Sequence, residues 1–196
     1  MIKLHALDLT PYRDGQWQTD LDRLPPMRKA RALACRKGED GMRIACAGYL
    51  LQEVLCNEGI ALQNQIFTEN QWGKPQLADR EDLHFSLSHS GLWAVCAVSD
   101  TPVGVDIEQP RCNDKLARRF FPNAKTEDDV LRLWTATEAY LKYLGRGLTV
   151  PLDSFSVRLS DRLTIDQSPV CLHEYDLCDY HICLCTTDSK PKMEML

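Results

Sequence analysis

Residues 84–108 read HFSLSHSGLWAVCAVSDTPVGVDIE, and where this stretch is cut decides the fold. Gly91 and the run Asp100-Thr101-Pro102 are turn signals. They leave three short apolar runs, which predict strands at His84–Leu87, Leu92–Val98 and Val103–Glu108. Upstream, the alternation over residues 2–8 predicts an edge strand, and residues 21–36 predict a helix entered through Pro25 and Pro26. Asp40 stands where an N-cap belongs for a helix to about Asn57, with Gly59 just past its end. The apolar stripe of that helix is Ile44, Ala47, Leu51, Val54 and Leu55. Asn70-Gln71-Trp72-Gly73-Lys74-Pro75 is turn text. Downstream, helices are predicted at about Asn113 to Phe120 and at Glu127 to Leu144, the second stopped by Gly145. Strands are predicted at Ser154–Leu159, Cys171–Tyr175 and Tyr180–Thr186. This order gives an α+β chain of two halves, 1–102 and 103–196, with no repeat or low-complexity linker to mark the joint.

A hydrophobic fraction of 44% beside 26% charged residues is an ordinary globular balance. The net charge, 23 − 28 = −5, argues against a general nucleic-acid binder, which needs basic surface. No run of about 18 apolar residues suggests a membrane span, and the start Met1-Ile2-Lys3-Leu4-His5 has no secretory apolar segment. Nine cysteines, an odd number at irregular spacings, suit a reduced cytoplasmic protein that uses them as small core residues. A zinc site among Cys171, Cys178, Cys183, Cys185, His173 and His181 is the competing idea. Against it, His181, Cys183 and Cys185 alternate with Ile182 and Leu184 as on a half-buried strand, and paired C-x-x-C spacing is lacking.

Asp106 and Glu108 lie two apart on a strand, so they share a face opposite Val103, Val105 and Ile107. Two neighbouring carboxylates suit either a solvated face or a hard cation such as magnesium. Glu138 and Lys142, at i and i+4 on the long helix, are either a surface ion pair or a phosphate-binding face, with Trp134 and Leu141 as anchors. Ser86-Leu87-Ser88-His89-Ser90-Gly91 collects hydroxyls, an imidazole and turn amides where a phosphate could sit. His89 could equally be a hydrogen-bonded turn histidine. A serine hydrolase is disfavoured, because no G-x-S-x-G elbow is present and sequence-adjacent Ser and His do not make a triad. Arg28, Lys29, Arg31, Arg36, Lys37 and Arg43 face only Glu39 and Asp40 within residues 28–43, so this segment is a solvated face or an anion site. Neither a P-loop nor a G-x-G-x-x-G occurs.

The ordered motifs resemble the Sfp-type 4′-phosphopantetheinyl transferases. They are Gly73-Lys74-Pro75, residues 85–91, Gly104-Val105-Asp106-Ile107-Glu108, Arg118-Arg119-Phe120-Phe121, residues 134–142 and Pro151 to Val157. The similarity covers roughly residues 20–160. It implies a monomer with a pseudo-twofold pair of similar α+β halves and coenzyme A in the cleft between them. It also implies transfer of the phosphopantetheine arm to a serine of an apo acyl or peptidyl carrier protein, releasing adenosine 3′,5′-bisphosphate. Carried over residue by residue, it implies magnesium on Asp106, Glu108 and Glu138, and a phosphate on Lys142. Lys74, Ser88 and His89 would hold the nucleotide portion, with Arg43 and Arg28 as further candidates, and Glu138 would take the serine proton. The family's W-x-x-K-E-A-x-x-K motif has Thr137 at its first lysine here, which leaves Arg146 or another cation to compensate. The competing readings are a catalytically weakened binder of coenzyme A or carrier protein, and a magnesium phosphohydrolase.

Overall fold

The computed structural model describes residues 1–110, 120–166 and 168–196. In chain order the elements are β1 (Ile2–Asp8), α1 (Pro26–Leu33), α2 (Gly38–Asn57), β2 (Phe67–Glu69), β3 (Pro75–Leu77), β4 (His84–Ser90), β5 (Trp93–Ser99) and β6 (Gly104–Glu108). They continue with α3 (Glu127–Leu144), β7 (Val157–Leu159), β8 (Leu163–Ile165), β9 (Cys171–Leu177), β10 (Tyr180–Thr186) and β11 (Met193–Met195). The helix expected at 113–120, with Arg118 and Arg119, falls almost wholly outside the described residues. Among the described residues no helix is long and apolar enough to cross a membrane.

Two sheets carry the architecture. One has the order β11-β1-β5-β4 and the other β6-β10-β9, while β2-β3 and β7-β8 are two-stranded. The expected edge strand β1 is in fact interior: β11 pairs with it in parallel through Leu4↔Met193 and Ala6↔Met195, while β5 covers its other side. No sequence pattern in a three-residue strand whose residues pair 189 positions away announces this. The Asp40 cap is also displaced. Helix α2 begins at Gly38 with Lys37 at the N-cap, so Glu39 and Asp40 lie in its first turn, where their charge favours the helix dipole.

The core falls into three layers. Leu50, Leu51, Val54 and Leu55 of α2 pack on Phe85, Ala94, Cys96 and Val98. The other face of that sheet, through Leu4, Ala6, Val95 and Ala97, meets Val105, Ile107, Ile182 and Leu184 of the second sheet. Leu133, Ala136 and Ala139 of α3 close the outer side against Cys183 and Cys185. Strand β10 is therefore buried on both faces, which corrects the half-buried reading of residues 181–185. Among the described residues no cluster suits zinc, and the eight described cysteines are free. Of these eight, Cys46, Cys96, Cys183 and Cys185 are core residues, while Cys56, Cys171 and Cys178 are exposed.

The two sheets meet along β4 and β6 through serine hydroxyls instead of a backbone ladder. The Ser86 hydroxyl accepts from the Val105 amide (3.0 Å), Ser88 donates to Asp106 Oδ1 (2.6 Å), and Ser90 accepts from the Gln109 amide (3.2 Å) while donating to Glu108 Oε2 (3.1 Å). All three serines are buried, so each bond satisfies polar groups that water does not reach. On its far side β6 lies against α3 at Gly104. A Cβ there would stand 2.0 Å from the Ala139 carbonyl oxygen and 2.3 Å from the Tyr143 amide nitrogen. Helix and strand thus touch backbone to backbone. Gly104→Ala is expected to destabilise the fold by about 3 kcal/mol, as forced overpacking does. Urea unfolding checks this, and an unchanged midpoint would contradict the close approach.

Candidate active site

The close contact at Gly104 brings one face of α3 over the outward side chains of β6. Helix α3 is secured at both ends. Thr126 and Asp129 form a capping box at its start, and Gly145, with φ +66°, ends it in the left-handed region. Asp106, at the centre of β6, is 4% exposed, so of the two alternatives the solvated face fails at Asp106. Its Oδ1 accepts from Ser88 (2.6 Å) and from the Lys142 ammonium (2.7 Å). Its Oδ2 is buried with no hydrogen-bond partner. The i, i+4 spacing of Glu138 and Lys142 therefore does not signify a surface pair, because Lys142 reaches across to the strand. Glu138 stands beside them, and its carboxyl is held above the usual range by burial first and then by the Asp106 charge, with Lys142 opposing.

In front of Asp106 lies a cleft of about 370 Å³. Arg28, Arg31, Lys74, Ser88, His89 and Lys142 are among its walls. Arg28 reaches it because Gly48 leaves room: a Cβ there would come 2.5 Å from Arg28 Cδ. The Arg28 guanidinium donates to the Ile44 carbonyl (3.3 Å) and has no carboxylate partner among the described residues. Burial, then the charge of Arg31, pushes its pKa down to about 10. His89 is exposed to solvent at the cleft wall, yet desolvation by the surrounding protein, followed by the charge of Lys142, pushes its pKa down to about 4. A cleft crowded with cations that depress one another's proton affinity favours an anion. Entry of a phosphate would relieve that repulsion and favour the protonated imidazole.

The expected site residues therefore separate into two groups. Arg28, Lys74, Ser88, His89 and Lys142 share the cleft. Arg43 does not line it; its guanidinium donates to the Gly91 carbonyl, Asp40 and Glu39. Ser88 directs its hydroxyl at Asp106, and Lys74 directs its ammonium at two backbone carbonyls, of Lys142 (2.6 Å) and Val103 (3.1 Å). Glu108 accepts from Ser90. Thr137 is buried, donates to the Leu133 carbonyl (2.8 Å), and lines a separate groove with Phe120, Phe121, Trp134 and Phe155. Sequence reading gave no role to Asn70, whose amide nitrogen donates to the Gly145 carbonyl (2.8 Å). The turn signal around it was present, but its tertiary partner 75 residues on was not.

Among the described residues no three His, Cys, Asp or Glu side chains are gathered into a metal cage. Magnesium does not need one, since it commonly takes one or two carboxylates together with water and substrate phosphate. The unpartnered Asp106 Oδ2, and a neighbouring Glu138 whose proton affinity is raised by the Asp106 charge, fit a hard cation between them.

Comparison with known proteins places the chain beside one group of transferases. The profile of the 4′-phosphopantetheinyl transferase superfamily matches residues 102–185. The 4′-phosphopantetheinyl transferase Sfp of Bacillus subtilis is 36% identical over 152 residues, covering 65% of this chain and 68% of that protein. The 4′-phosphopantetheinyl transferase psf-1 of Bacillus pumilus is 31% identical over 94% of this chain and 90% of its own length. The 4′-phosphopantetheinyl transferase HetI of Nostoc is 39% identical over a shorter stretch, 39% of this chain and 40% of the relative.

The raised pKa of Glu138 has a consequence for stability. The folded protein binds the Glu138 proton more tightly than the unfolded chain does, so this group adds stability at low pH. That contribution is lost as pH rises past the ordinary carboxyl value of 4.5, leaving a penalty at neutral pH. Glu138→Gln is expected to be more stable than the parent at neutral pH by about 1 kcal/mol. The gain should vanish at a pH below 4.5. Denaturant midpoints measured across that range decide it, and a variant less stable at neutral pH would contradict the assigned repulsion.

Proposed function

Because the chain belongs to the 4′-phosphopantetheinyl transferase family, we propose that it moves the phosphopantetheine arm of coenzyme A onto a serine of an apo carrier protein and releases adenosine 3′,5′-bisphosphate. The observation that carries this reading is the buried Asp106 carboxylate, bound by Ser88 and Lys142 directly behind a cation-lined cleft.

In this proposal Arg28 and His89 hold the phosphates of the nucleotide portion. The Lys142 ammonium lies between Asp106 and the cleft and binds the pyrophosphate. Asp106 and Glu138 are the proposed magnesium ligands, and Glu108, which accepts from Ser90, is proposed as a third on the same face of β6. The chemistry magnesium supplies when bound there is screening of the pyrophosphate charge and polarisation of a phosphoryl oxygen. Glu138, directly or through a water, accepts the proton of the carrier serine hydroxyl as the new O–P bond forms and the bond to the departing bisphosphate breaks. Its raised proton affinity supports this assignment. Phosphoryl transfer of this kind depends on positioning and charge stabilisation more than on covalent help.

The division into halves at 102/103 belongs to the same proposal, with β11 returning to the first sheet. One chain supplies both walls of the cleft, which supports action as a monomer, and the free state of the eight described cysteines suits a reducing cytoplasm. Thr137 faces the aromatic groove one residue round the helix from Glu138, so the lost motif lysine need not disable the Asp106 side. The expected result is a parent that transfers the arm and a Thr137→Lys variant with a modestly changed rate. An inert parent rescued by the lysine would contradict this.

The direct test incubates the protein with apo carrier protein, coenzyme A and magnesium, and weighs the carrier by mass spectrometry. Transfer of the arm is expected, together with its loss on chelation. Asp106→Ala is expected to abolish transfer while the protein remains folded by circular dichroism. Unmodified carrier with intact coenzyme A would mean a binder only, and cleavage of coenzyme A without carrier would mean a phosphohydrolase. Either result overturns the proposal.

A further inference from the structure

The last turn of a helix leaves backbone carbonyls without helical partners. At the end of α3 those carbonyls are met by a segment from far earlier in the chain. The turn between β2 and β3 is folded by Asn70 itself, whose Oδ1 accepts from the amides of Trp72 and Lys74, both at 2.9 Å. The same side chain donates through Nδ2 to the Gly145 carbonyl (2.8 Å). The Lys74 ammonium donates to the Lys142 carbonyl (2.6 Å) and to the Val103 carbonyl (3.1 Å). The guanidinium of Arg146 lies over the Trp72 ring, 5.1 Å from its centroid. The fit is close: a Cβ on Gly145 would approach Lys74 Cδ at 3.0 Å and Asn70 Nδ2 at 3.3 Å.

Val103 leads directly into β6, which carries Asp106, and Lys142 lies on α3. One ammonium therefore ties together the two backbones whose side chains form the 2.7 Å Lys142–Asp106 contact. A cation at the carbonyl end of a helix is also favoured by the helix dipole. We propose that residues 70–74 form a clasp on the end of α3, and that Lys74 is a positioning residue for Lys142 and Asp106 whose role is not primarily that of a phosphate ligand. Two of the three donors of its ammonium are committed to carbonyls, and desolvation pushes its pKa down to about 8, so it is the weaker cation to offer an anion. The effect on catalysis rests on the transferase reading; the clasp itself does not.

Two variants test it. Lys74→Met removes both carbonyl contacts. Asn70→Asp keeps the acceptor that folds the turn but sets an oxygen against the Gly145 carbonyl, and Asn70 does not line the cleft. In the carrier assay each variant is expected to lower kcat at least about tenfold with little change in KM for coenzyme A, as misplacement of a catalytic group does. The double variant should be no worse than Lys74→Met, because contacts that act as one unit are not additive. Without any ligand, amide hydrogen exchange at Leu144 to Arg146 should speed up in both. Lys74→Met that raises only KM, or Asn70→Asp that leaves kcat and exchange as in the parent, would overturn the proposal. A parent that transfers nothing would defeat the transferase reading instead, and the exchange result would still decide the clasp. Asn70→Asp, the milder change, keeps the test decisive if Lys74→Met fails to fold.

Discussion

A carboxylate removed from water must find partners, and Asp106 finds them on two other elements at once. Ser88 comes from β4 of the first sheet and Lys142 from α3, so the same two hydrogen bonds that satisfy a buried charge also tie β6 to the first sheet on one side and to α3 on the other. Removing Lys142 would leave the buried Asp106 charge uncompensated, which is costly. Much of the surrounding structure serves that arrangement. Gly104 lets α3 approach β6 at backbone contact, the serine hydroxyls of β4 replace a ladder along the seam, and the 70–74 turn holds the helix end.

The arrangement also separates charge by depth. The cleft wall is cationic, with Arg28, Arg31 and Lys142, while the carboxylates lie behind it. Such a gradient is unfavourable without ligands, as the depressed pKa values of Arg28 and His89 and the raised one of Glu138 record. Functional sites commonly hold electrostatic tension of this kind, which their ligands relieve. A polyphosphate that brings negative charge to the wall, and a divalent cation that brings positive charge to the carboxylates, relieve both sides together.

Most of the long elements were legible in the sequence because their signals are local. The helix at Glu127–Leu144 has a capping box at one end and a glycine at the other, and the α+β order followed from turn residues between apolar runs. What was not legible depended on distant contacts. β1 reads as an edge strand because only β11, at the far end of the chain, makes it interior. Spacing alone left Asp106 and Glu108 open between a solvated face and a cation site, because strand periodicity says which residues share a face but not what covers that face. Ser88 and Lys74 were given to the nucleotide portion by the family resemblance, and the fold adds what no motif shows: their polar atoms are directed to Asp106 and to backbone carbonyls. The half-buried reading of β10 failed for the same reason: the faces that carry Cys183 and Ile182 are both covered, by elements no local pattern announces.

The central claim is that Asp106 links the protein to a phosphate ligand through a divalent cation. Calorimetric titration of coenzyme A into the parent and into Asp106→Asn, each with magnesium and with chelator, tests it most directly. The account predicts that magnesium strengthens binding to the parent and leaves binding to Asp106→Asn unchanged. Equal strengthening in both proteins would contradict it.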